Sequence, residues 1–254
     1  MGALFFKRIM PKILPEVAGN IGHGYICALH NTENAMKRKF LVILLVLTLV
    51  LALPLSGSAQ TYSAFCAPEK IVSDLYGYKD IAVVWELVEW EDGSHPDGYA
   101  VYVKEGKDGT YKMAGTTSAD YFAYTDTKAG TKYTFKVRSY QLVNGQKYWS
   151  ENYSPETSLY TLKKVSTPKV MKYSSKKVKV KWTNISGETG YQISRSTKST
   201  GTNVVATYFT TKGTYKTLKV TKGKTYYYKV RAFRTVGDQT FYGPWSKTTK
   251  YKLK

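Results

Sequence analysis

Cysteine and histidine are nearly absent from this chain: 254 residues contain two cysteines and three histidines. So thin a supply argues against zinc, haem and thiol chemistry. No apolar run reaches the ~20 residues that a membrane-spanning helix needs. Acidic residues almost vanish from the last third, where Lys164 to Lys254 holds 2 of them against 21 lysines and arginines. What remains is aromatic and turn-rich, with 23 tyrosines, 20 glycines and eight prolines. Aromatics favour strands, while glycine and proline punctuate turns. The 43% apolar content suffices for one or two cores, which excludes wholesale disorder. An enzyme is the less expected reading.

The first sixty residues concern targeting. Met36-Lys37-Arg38-Lys39 precedes an apolar run of 14 residues, Phe40 to Leu53, interrupted only by Thr48. Pro54 and the small residues Ser56-Gly57-Ser58-Ala59 follow. A basic start, a short apolar core and a small-residue exit predict a secretory signal peptide over 36–59. The alternative is an uncleaved segment 40–53 that anchors the protein to the membrane. Residues 1–35 lack any sustained period and precede the signal, so they are expected to be an overcalled extension, with Met36 the start. Cys27 then drops out, and Cys66 is expected to be a lone thiol.

Self-comparison carries the fold. Gly130–Tyr148 (GTKYTFKVRSYQLVNGQKY) repeats as Gly223–Phe241 (GKTYYYKVRAFRTVGDQTF) at a constant offset of 93. Upstream, Ala82-Val83-Val84-Trp85 matches Lys179-Val180-Lys181-Trp182, and Gly98-Tyr99 matches Gly190-Tyr191. The extra loop residues of the first copy, among them Glu91, Asp92, His95 and Pro96, fall where insertions are cheap. Within each copy the period is two: Ile81, Val83, Trp85 and Leu87 alternate, as do Tyr133, Phe135 and Val137, and Val178, Val180 and Trp182. Such alternation buries one face of a strand and wets the other. Asn144-Gly145 and Gly237-Asp238 lie between runs, as tight hairpins require. Short strands with regular turn signals predict an all-β sandwich architecture.

These residues resemble fibronectin type III modules of bacterial secreted and cell-surface proteins. The resemblance rests on a tryptophan in the second strand, Gly-Tyr-x-Val or Gly-Tyr-x-Ile opening the third, and G-x-x-Y-x-[FY]-x-V-R in the sixth. Tyr153-Ser154 and Trp245-Ser246 fit the start of the last strand. It covers residues 66–162 and 165–254, and implies two consecutive immunoglobulin-like sandwiches after the signal peptide. It further implies core tryptophans at Trp85 and Trp182 and tyrosine-corner residues at Tyr133 and Tyr226. On activity and cofactors it is silent, and none of either is expected.

Charge divides the copies. Gln60 to Lys163 carries 11 basic and 14 acidic residues, against the 21 and 2 that follow. Lys177, Lys179 and Lys181 alternate with apolar residues, so their ammonium groups are expected on one outward face. Lys219, Lys222 and Lys224 add to the cluster, and Lys229, Arg231 and the Lys247–Lys254 tail extend it. A solvated face that blunts a sheet edge and a surface for polyanions both account for this pattern. In the second reading the partner of an exported protein is an anionic cell-wall polymer or polysaccharide, since lysine suits diffuse attraction and arginine suits bidentate recognition. Other surface proteins are further partners to consider. No nucleic-acid recognition motif is present, and a membrane is met only through an uncleaved signal.

Trp149, Tyr153, Tyr242 and Trp245 follow the hairpin turns, where they either pack on the sandwich or offer rings for sugar stacking, as in a carbohydrate-binding accessory protein. His95 with Asp92 and Asp97 makes a poor metal set, because a Gly- and Pro-rich turn accounts for all three. Glu86, Glu89 and Glu91 read as a solvated face rather than a glycosidase pair. Cys66 has no histidine neighbour to activate it as a nucleophile. Catalytic and metal sites are therefore expected to be absent.

Overall fold

A computed structural model describes residues 66–89 and 93–254. The expected extension and signal peptide, together with Glu91 and Asp92, lie outside the described residues. The alternating segments form sixteen strands, and no helix occurs among the described residues. The first eight are β1 (Ile71–Leu75), β2 (Ile81–Trp85), β3 (Gly98–Glu105), β4 (Lys112–Thr117), β5 (Tyr121–Tyr124), β6 (Lys132–Val143), β7 (Gln146–Trp149) and β8 (Thr157–Tyr160). The second eight are β9 (Lys169–Ser174), β10 (Lys177–Lys181), β11 (Gly190–Ser196), β12 (Val204–Thr210), β13 (Tyr215–Lys219), β14 (Thr225–Val236), β15 (Gln239–Tyr242) and β16 (Thr249–Lys252).

The same topology occurs twice. A sheet β1-β2-β5 faces a sheet β4-β3-β6-β7, with β8 pairing the other end of β6. Likewise β9-β10-β13 faces β12-β11-β14-β15, with β16 pairing β14. All pairings are antiparallel, so each sheet can bury one face and wet the other. These are two antiparallel β-sandwiches in tandem, the all-β architecture that the alternation and the duplication predict.

Inward positions make the cores. Ile81, Val83, Phe135, Val137, Val178, Val180, Ile193 and Val230 are all fully buried, and each such apolar side chain contributes about 1.5–3 kcal/mol. Trp85 lies on Tyr99 at 5.2 Å, and Trp182 on Tyr191 at 5.3 Å. The two tyrosine hydroxyls accept equivalent backbone bonds, from Val88 and Ile185. Tyr133 Oη accepts from the Lys128 amide, five residues upstream, and Tyr226 meets Thr221 at the same spacing.

Two turns explain why the hairpins close. Asn144 and Gly145 have φ of 52° and 80°, the paired left-handed conformation of a type I′ turn. At the second turn only Gly237 is positive, at 54°, as the first central position of a type II′ turn requires. One expectation fails locally. Leu87 lies past the end of β2 and is 63% exposed. The chain leaves the sheet after Trp85, and Val88, whose amide donates to Tyr99, takes the inward place.

The junction between the sandwiches is packed. Leu162 and Val165 of the linker are buried, and the Leu162 amide donates to Tyr78 O. Arg234 on β14 pairs with Asp74 on β1 (Nε to Oδ1 2.5 Å) and donates to Gly187 O. Gly187 has φ +85° and sits so close to Tyr160 that a Cβ would fall 2.6 Å from its carbonyl oxygen, so glycine is required there twice over.

Candidate functional site

The outward face of β9-β10-β13 gathers the lysines. On the central strand β10, Val178 and Val180 point into the core, which sends Lys177, Lys179 and Lys181 to the opposite side. Register then adds neighbours that spacing alone could not. Lys219 on β13 stands directly across from Lys177, and Tyr215 across from Lys181. On the other flank, Lys169 of β9 stands across from Lys181, and Met171 across from Lys179. Strands lie about 4.8 Å apart and alternate residues about 6.7 Å along, so the ammonium groups share one small flat area. Across these three strands every acidic or basic residue is a lysine: 169, 172, 177, 179, 181, 216 and 219.

Among the described residues none of the six predicted lysines, 177, 179, 181, 219, 222 and 224, has a carboxylate within ion-pairing distance; the pairs present are Lys70–Glu86, Lys104–Glu156, Lys128–Glu105 and Arg234–Asp74. Lys222 and Lys224 occupy the exposed turn between β13 and β14. That turn is joined to the β9–β10 turn by the bond from Val220 N to Lys176 O, 3.0 Å, so both add charge at the Lys177 end of the face. Lys229 and Arg231 do not extend it. They lie on β14, which belongs to the opposite sheet; alternation identifies an outward residue but not the sheet it decorates.

The outward side of that opposite sheet carries a different structure, repeated in both sandwiches. The Arg138 guanidinium lies 4.2 Å from the Trp149 ring and 5.2 Å from Tyr153. Arg231 lies 3.9 Å from Tyr242 and 4.4 Å from Trp245. Lysines continue each stack: Lys136 over Tyr153 at 3.7 Å and Lys229 over Trp245 at 4.8 Å. The four aromatics after the hairpins are thus interleaved with cations, an arrangement that gains from the negative face of each ring. Burial in the stack holds Arg231 below its ordinary pKa. A serine locks each stack to β6 or β14: Ser154 and Val137 exchange two hydrogen bonds, as do Ser246 and Val230.

The remaining candidates are dispersed. His95 Nδ1 lies 2.9 Å from Val88 O, while Asp97 accepts from the Leu142 amide at 2.6 Å; both serve the turn. Glu86 pairs with Lys70, and Glu89 is exposed. No group of three or more histidine, cysteine or acidic residues able to hold a metal occurs among the described residues. Cys66 is disulfide-bonded, which corrects the expectation of a lone thiol. No helix among the described residues is long and apolar enough to cross a membrane.

Comparison with known proteins gives similarity to solved structures only. The chain is similar to the chicken CNTN1 FN1–FN3 domains, at 17% identity over 75% of this chain and 68% of that one, with a TM-score of 0.37. It is also similar to a segment of two fibronectin type III domains from chicken tenascin, at 14% identity over 74% and 100% of the two chains, with a TM-score of 0.35. No family model and no curated protein matches.

Proposed function

We propose that this chain is a non-catalytic, exported adhesion or spacer protein whose second sandwich is drawn to an anionic polymer of the cell wall or matrix. One observation carries the reading: Lys177, Lys179, Lys181 and Lys219 share a sheet face with no acidic partner among the described residues. Like charges this close repel, and the repulsion is relieved when a polyanion supplies the missing charge. The basic and apolar run before residue 60 supports export. Sugar stacking on Trp149, Tyr153, Tyr242 and Trp245 is the weaker reading, because three of these rings are half-buried and guanidinium groups cover them closely.

The test is retention of the full chain on immobilised anionic polymer across a salt gradient. Retention should fall steeply as salt rises, since the released counterions and the screening both act on exposed charge. Replacing the four lysines with glutamate should weaken retention by about a hundredfold, since every 1.4 kcal/mol is a factor of ten. Retention that ignores both salt and the charge reversal would exclude the reading, and conversion of the polymer to shorter products would exclude a non-catalytic one.

A further inference from the structure

Resting on that reading, we propose that the polymer is an anionic polysaccharide, and that Tyr173 and Tyr215 stack against its sugar rings while the lysines around them meet its acid groups. Three observations converge. First, among the described residues the two most exposed aromatic side chains are these, at 57% and 53%, and both belong to the lysine-bearing sheet. Second, Tyr173 is the extra residue of a β-bulge: Lys177 pairs with Ser174 and Val178 with Lys172, leaving Tyr173 without an opposite number. Bulges re-aim side chains, and this one turns the ring toward Lys179. Third, the Lys179 ammonium lies 5.3 Å from the Tyr173 ring and 4.8 Å from the Tyr215 ring. The two ring centres are therefore no more than about 10 Å apart, the sum of those distances, with a positive charge between them.

The chemistry of such a patch is selective. A bare phosphodiester or polyphosphate needs cations and gains nothing from a flat apolar ring. A pyranose chain with carboxylates presents C–H faces for the tyrosines and charges for the lysines, and the span between the rings is no longer than a disaccharide. The aromatics of the opposite sheet are less suited to this part, since Trp149, Tyr242 and Trp245 are half-buried and each has a guanidinium closer to it than Lys179 is to either tyrosine. Lysine, a compact point charge on a flexible stem, tolerates varied spacing of acid groups along the chain.

The experiment compares two polymers of equal charge number, polygalacturonate and inorganic polyphosphate, with the full chain and a Tyr173→Ala/Tyr215→Ala variant. Both tyrosines are on the surface, so matched melting curves confirm that the variant folds. The expected result is an affinity for polygalacturonate lowered about tenfold, as loss of two partly exposed ring contacts implies, with polyphosphate affinity unchanged. Equal affinity of the variant and the unaltered chain for polygalacturonate would overturn the inference while leaving electrostatic adhesion intact. An equal loss on both polymers would overturn it too, reducing the tyrosines to supports for Lys179. Binding of the unaltered chain to neither polymer would overturn this inference and the proposed function together.

Discussion

The two sandwiches share an interior and differ in their coats. Ala82 and Val84 of the first occupy the places that Lys179 and Lys181 take in the second, on the same strand and facing the same way. In the first sandwich all five residues of β2 are buried; in the second, outward positions of β10 carry charge. Inward residues barely change: Val83 and Val180, Trp85 and Trp182, Tyr99 and Tyr191, Val137 and Val230 keep their roles. The architecture therefore constrains one side of each strand and leaves the other free for binding. The stacks of alternating cation and ring are the exception, since they lie outside yet persist in both copies, which marks them as structural.

Three experiments sharpen this contrast, in descending order of effect. Truncating the shared interior should be costly in both copies. Trp85→Ala and Trp182→Ala should each cost about 3–5 kcal/mol, and calorimetry should show the altered sandwich melting first while its neighbour holds. Both tryptophans bury an Nε1 with no partner, so a phenylalanine replacement should recover most of that loss. Removing the guanidinium from a stack should cost less, about 1–2 kcal/mol for Arg138→Ala or Arg231→Ala. The Arg231 change should be the larger, because Arg231 Nε also donates to Gln192 Oε1 at 2.6 Å, whereas Arg138 buries its Nε without a partner. Finally, relieving like charge on the second coat should stabilise. Lys177→Thr removes the repulsion with Lys219 and should gain about 0.5 kcal/mol at low salt, a gain that high salt erases. A first sandwich that proved equally salt-sensitive would dissolve the contrast.

Much of the framework was legible in the residues themselves. A period of two and a duplication at constant offset identify strands and their inward faces without reference to neighbours. The lysines of β10 were legible for the same reason, being alternate positions of one strand. Lys169, Met171 and Tyr215 were not, because they join the face through register, which depends on which strands pair. Tyr173 was further out of reach: a bulge inserts one residue and reverses the parity on which alternation depends. The opposite failure befell Lys229 and Arg231, correctly outward but on the other sheet. Lys222 and Lys224 needed only proximity in the chain, and a turn placed them.

The clasp between Asp74 and Arg234 has a mechanical consequence. Tension applied at the two chain ends passes in series through the junction, so its few contacts carry the same load as each full core. The Asp74–Arg234 bond and the packing of Leu162 are far smaller than either core, so they are expected to give way first. Such a junction is expected to open and reclose, in single-molecule pulling, at a force that leaves both sandwiches folded.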